Sequence, residues 1–93
     1  MLNINDEVAN LSDGWEVKDQ KSLRKTYQFK GFLKTMSFVN AVAWEANRVM
    51  HHPDMEISFN KCIINLTTHD DGNILSEKDF LLAKNIDGLL NTI

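Results

Sequence analysis

Between Phe32 and Met50, apolar side chains recur at Phe32, Met36, Val39, Ala43, Ala46 and Met50, in steps of four, three, four, three and four. That is the period of a helix with one covered face, because residues three and four apart lie on the same side of it. A stripe this long needs other elements to cover it, and a chain of 93 residues has room for a single core in which to do so. The helix also has a sharp stop. A residue before proline is pushed out of the α region and proline has no N–H to continue the ladder, so the helix ends at or before His52 and leaves His51 at its C-terminus.

The remaining elements are marked by shorter signals. Asn3, Asn5 and Asp6 are helix-start residues ahead of Val8 and Leu11, which predicts a short first helix broken at SDGW. WEVK and SLRKTYQFKGF carry the β-formers Trp15, Val17, Leu23, Tyr27 and Phe29 on either side of KDQK, a hairpin pattern. After Pro53, MEISF and CIINLTTH read as two more strands with Asn60 and Lys61 as the tight turn. In the second, Cys62, Ile64, Leu66 and Thr68 share one face and Ile63, Asn65, Thr67 and His69 the other. The first face is the one to pack on helices, which leaves His69 on the polar side, at the strand end beside the turn HDDGN. A last helix starts at SEKD and carries Phe80, Leu82, Ile86, Leu89 and Leu90. The order α-β-β-α-β-β-α implies an α+β fold: a two-layer sandwich, with a four-stranded antiparallel sheet and helices packed on one face, as one domain over residues 1–93.

Composition excludes several function classes. No apolar run approaches the roughly 18 residues of a membrane span, and MLNINDEVAN lacks the basic-then-apolar order of a secretory signal, so no membrane partner and a cytoplasmic location are expected. A formal charge of −3 argues against direct nucleic-acid binding; the most basic stretch, KSLRK from Lys21 to Lys25, reads as a solvated strand edge. Cys62 is the one cysteine, which rules out an internal disulfide and reads as a small buried hydrophobe. Trp15 and Trp44 read as packing residues.

All three histidines, His51, His52 and His69, lie within residues 47–72. Asn40, Trp44, Asn47 and His51 are spaced four, three and four, a polar-aromatic stripe along the long helix that leads to the pair. Position 47 lies one turn behind position 51, whereas Glu45 points roughly 120° away, so Asn47 is the expected partner of the His51 imidazole. Three histidines and a cysteine raise metal binding, yet adjacent histidines at a helix end diverge and Cys62 falls on the sheet face opposite His69, so no metal is expected.

HHPD, FNK, LTTHD and LSEKDF occur in that order, with 18 residues from His51 to His69 and an early Gly14-Trp15 pair. In these motifs the chain resembles the pterin-4a-carbinolamine dehydratase family over nearly its whole length. Three positions depart from the family pattern. Asn47 stands where the family usually has Glu, and it can orient an imidazole but brings no charge. The turn HDDGNILSEKD is one residue longer than the commonest form, and Phe59 replaces the common Tyr.

The resemblance implies dehydration of a 4a-hydroxytetrahydropterin to the quinonoid dihydropterin, a hydro-lyase reaction in recycling the cofactor of aromatic amino acid hydroxylases. Histidine can donate or accept a proton near neutral pH, which suits both halves of that elimination. His51 and His69 are expected as acid and base, with His52 catalytic as well by holding the pterin ring. The substrate pocket implied spans His51, His52 and Pro53 on one side and Thr68, His69, Asp70 and Asp71 on the other. Asn47 and Asp79 are expected behind it. Asp79 also has a structural explanation, since it follows Ser76 at capping-box spacing. No cofactor is implied beyond the pterin substrate. Family members are oligomers, so a homodimer or homotetramer is expected, and a hydroxylase is a pathway partner. Two other readings stay open: a non-catalytic protein-interaction module resembling a transcription cofactor, and a divergent relative that binds another pterin.

Overall fold

A computed structural model describes residues 2–69 and 72–90. The long helical stripe becomes α2 (Phe32–Val49), flanked in chain order by α1 (Ile4–Ala9), β1 (Glu16–Lys18), β2 (Ser22–Gln28), β3 (Asp54–Ser58), β4 (Lys61–Leu66) and α3 (Glu77–Leu89). The four strands form one antiparallel sheet in the order β1-β2-β4-β3, the expected α+β arrangement with helices covering one face. None of the described helices is long and apolar enough to cross a membrane.

Register explains which sheet face is covered. Leu23 pairs with Leu66, Lys25 with Ile64 and Tyr27 with Cys62, so the alternation of β2 and β4 places these six side chains together under the helices. Cys62, Ile64, Leu66 and Thr68 are all buried, as their shared parity requires. Burial in that apolar layer pushes the Cys62 thiol up to about 11. From α2 the core receives Phe38, Val39, Val42 and Ala46, and from α3 Phe80, Leu82, Ala83 and Ile86.

Four local expectations are corrected within this frame. The covered stripe of α2 is Thr35, Phe38, Val39, Val42 and Ala46, while Phe32 and Met50 are exposed. Thr35 can replace a hydrophobe there because its one hydroxyl proton is shared between the Gly31 carbonyl at 2.9 Å and the Phe59 carbonyl at 3.0 Å. The β3–β4 turn is Phe59-Asn60, since Ser58 pairs with Lys61. Trp44 is 78% exposed, whereas Trp15 is buried. Basic residues of KSLRK lie on an inner strand, and Lys25 is folded inward, where the Asp87 carboxylate accepts its ammonium at 2.7 Å.

Two helix ends set the positions of the histidine pair and of Asp79. Met50 closes α2 in the left-handed conformation (φ 56°), and the His51 N–H turns back to the Ala46 carbonyl at 3.2 Å, so the chain leaves the helix axis before the histidine pair. Ser76 caps α3, and the Asp79 carboxylate accepts the Ser76 N–H at 2.9 Å. Glu45 ties α2 to α3 by accepting from the Asn85 amide at 2.8 Å. The Arg48 guanidinium beside it holds the Glu45 carboxyl below the usual carboxylate range.

Candidate active site

The segment between α2 and β3 and the end of β4 meet at one depression of about 280 Å³. His51, His52 and Pro53 from the α2–β3 segment line it together with Thr68 and His69 from beyond β4. The five therefore converge although up to 18 residues separate them. Asp70 and Asp71 lie outside the described residues. Met50, Asp54 and Lys78 complete the lining, none of them singled out from sequence; Lys78 could have been suspected because it precedes Asp79 on the first turn of α3.

The two histidines brought in by different segments have different supports. His51 is nearly enclosed, with 11% of its side chain exposed, and its Nε2 lies 2.5 Å from Oδ1 of the fully buried Asp79. The other oxygen of that carboxylate accepts the Thr68 hydroxyl at 2.8 Å and the Ser76 N–H at 2.9 Å. Thr68 and Ser76 hydroxyls are in turn 2.6 Å apart. His69, by contrast, is exposed and donates from Nδ1 to the neutral Asn73 amide oxygen at 2.7 Å. A carboxylate in its ionised form only accepts, which with Asp79 ionised leaves the shared proton on Nε2 of His51; an amide oxygen accepts from Nδ1 of His69 in the same way.

Asn47 does not take the expected place behind His51. The left-handed turn at Met50 breaks the four-residue step, so Asn47 faces a separate depression with Asn40, Ala43 and Trp44, and the imidazole bonds to Asp79 instead. Asp79 thus does two things at once: it accepts the N-terminal N–H that its spacing from Ser76 predicts, and it supports a histidine 28 residues away. Among the described residues, no group of three or more His, Cys, Asp or Glu side chains is placed to hold a metal ion.

The family model for pterin 4 alpha carbinolamine dehydratase matches residues 2–89. The chain belongs to that family. Among its carbinolamine dehydratase relatives is a Nitrosospira multiformis protein bearing the name "Putative pterin-4-alpha-carbinolamine dehydratase", 49% identical over 90% of this chain and 75% of the relative. A Nitrosomonas eutropha protein of the same name is 45% identical over 89% of this chain and 72% of its own length. The fold is shared with a Brucella melitensis transcriptional coactivator/pterin dehydratase, at a TM-score of 0.85 and 26% identity over 92% of this chain and 90% of that one. A pterin dehydratase-like RuBisCO assembly factor of the α-carboxysome has the fold as well, with a TM-score of 0.71 and 22% identity over 82% of this chain and 88% of that one.

Proposed function

We propose that this carbinolamine dehydratase family member converts a 4a-hydroxytetrahydropterin into the quinonoid dihydropterin and water. The observation that carries the reading is the convergence of three imidazoles on one depression, with His51 backed by a buried carboxylate. At about 280 Å³ the depression lies near the small end of ligand sites, which run from about 300 to 1,000 Å³, and suits a single bicyclic ring.

The chemistry needs two proton transfers. The C4a–O bond breaks as the departing oxygen receives a proton, and the N5 lone pair forms the C4a=N5 bond as N5 loses its proton. Hydroxide leaves poorly, so protonation of the oxygen is the step an acid accelerates. His51 and His69, both in the lining of the depression, supply the acid and the base. His52 and Pro53 hold the ring, and Thr68, Asp70 and Asp71 complete the implied pocket. Asp79 supplies the charge that Asn47 does not bring.

In the same reading the protein is a cytoplasmic homodimer or homotetramer, working beside an aromatic amino acid hydroxylase. Exposed Trp44 on the outer face of α2 supports an oligomer, which light scattering would detect. Stopped-flow absorbance of freshly generated 4a-hydroxytetrahydropterin tests the activity. Wild type should accelerate its decay over buffer, and His51→Ala or His69→Ala should each lose about 10²–10⁴-fold, the range of a general acid–base group. Wild-type decay no faster than buffer would overturn the reading and favour an interaction module or another pterin.

A further inference from the structure

Hydroxyl protons around Asp79 can be placed by counting donors. Thr68 has one hydroxyl proton, and an ionised Asp79 can only accept, so that proton goes to Asp79 Oδ2 at 2.8 Å. The 2.6 Å contact between Thr68 and Ser76 then requires the Ser76 hydroxyl to donate to Thr68. Ser76 Oγ–H, Thr68 Oγ1–H and Asp79 Oδ2 form a directed chain, reinforced by the Ser76 N–H on the same carboxylate oxygen. The other oxygen is left for His51 Nε2.

That arrangement dictates which atom of His51 can react. No hydrogen bond reaches its Nδ1 from the described residues, and among these no buried side-chain nitrogen or oxygen lacks a partner, so Nδ1 is open to the depression that His51 lines. We propose that Thr68 and Ser76 are positioning residues, acting through Asp79 to make Nδ1 the nitrogen of His51 that exchanges a proton with the substrate. Thr68 has spent its hydroxyl on the carboxylate and is a wall of the pocket, not a polar contact of the pterin. When Nδ1 takes up a proton, the imidazolium keeps its Nε2–H on the Asp79 carboxylate, so positive charge forms beside an anion already in place. When Nδ1 gives the proton up, the same bond preserves the tautomer ready for the next exchange. The inference rests on the dehydratase reading for its substrate, while the tautomer is a property of the protein alone.

The test pairs a spectroscopic readout with a kinetic one. Nitrogen-15 NMR of the imidazoles at about pH 9, above the usual histidine range, should show wild-type His51 protonated at Nε2 and bare at Nδ1. Thr68→Val should mix the two tautomers and lower kcat by about 10-fold or more, with KM changed less than about 3-fold, whereas Thr68→Ser should restore both readouts. A Nδ1–H tautomer in wild type overturns the proposal without reference to any variant. So does a Thr68→Val protein whose KM rises while its tautomer is unchanged, the result expected of a direct substrate contact. Wild type with the expected tautomer but no acceleration of pterin decay separates the two ideas: the positioning chain stands and the dehydratase reading falls.

Discussion

Asp87 is where the loss of one charge is expected to be felt most. Its carboxylate, on a side chain 10% exposed, accepts the Lys25 ammonium at 2.7 Å, the Tyr27 hydroxyl at 2.5 Å and the Trp15 indole N–H at 2.8 Å. Lys25 is 12% exposed, and its nitrogen lies 4.8 Å from the Tyr27 ring centroid and 5.6 Å from that of Trp15. Asp87→Asn keeps the shape and one acceptor but removes the counter-charge of a desolvated ammonium. Breaking a buried pair from one side costs about 3–5 kcal/mol, against about 0–1 for an exposed pair such as Arg24–Glu56. The flexible lysine stem can carry its charge toward water, so the lower end, about 3 kcal/mol, is expected, or roughly 12–24 °C in Tm for a domain of this size. Urea titrations of wild type, Asp87→Asn, Lys25→Met and the double variant would measure it, with Arg24→Met as the surface control. The double variant should lose much less than the sum of the singles, because the first deletion removes the reason for the second charge. Asp87→Asn within about 1 kcal/mol of wild type at an unchanged m-value would refute the reasoning, since the desolvated ammonium would then need no counter-ion.

Cys62 should make stability fall on the alkaline side: the unfolded thiol titrates near 8.5 while the folded one waits until about 11, so the unfolded state holds fewer protons across that window. About 1–2 kcal/mol is lost between pH 8 and 10, a fall that Cys62→Ala should remove in denaturant titrations over that range. Tyr27, raised by burial and then by the Asp87 hydrogen bond, adds a decline of the same sign at higher pH. Met50→Gly should stabilise by about 0.5–1 kcal/mol in thermal melts, because an exposed methionine at φ 56° bears a left-handed penalty that glycine lacks. Thr35→Val should cost about 1–3 kcal/mol, since its hydroxyl serves two carbonyls inside the core; an unchanged melt would show that water reaches them.

The elements were legible because their signals are local. Pro53 sets a limit beyond which α2 cannot run, Ser76 starts α3, and the parity of Cys62 to Thr68 assigns the covered face of β4 without any knowledge of what covers it. The α2 stripe was harder, since two apolar rows about 60° apart compete at about 100° per residue. The row with Phe38 and Val42 wins although it contains Thr35, whose burial depends on carbonyls that no pattern of hydrophobicity reveals. The histidines themselves could be read from the chain, but the support of His51 could not. The step from Asn47 to His51 assumes a continuing helix, and a left-handed methionine ends it one residue early. Only the resemblance placed Asp79 behind the pocket; its capping spacing already accounted for it locally, so nothing local distinguished an ordinary cap from one that also reaches a side chain on another element.

Thr68 is joined to Ile74 in both directions, N–H to carbonyl at 2.8 Å and carbonyl to N–H at 3.0 Å. This bridge cinches the loop from His69 to Asn73 at its base, before the chain reaches Ser76 and Asp79. The bridge holds the base of the loop whatever the length of its rim, so the Thr68–Ser76–Asp79 chain does not depend on the number of residues between His69 and Asn73. The fold in effect separates His51 and its Thr68–Ser76–Asp79 support from a rim that carries His69 and its partner Asn73. Loops of other lengths could be grafted between positions 69 and 73 with His51 and its buried carboxylate kept in place, so the rim can drift in evolution while the support beneath it stays the same.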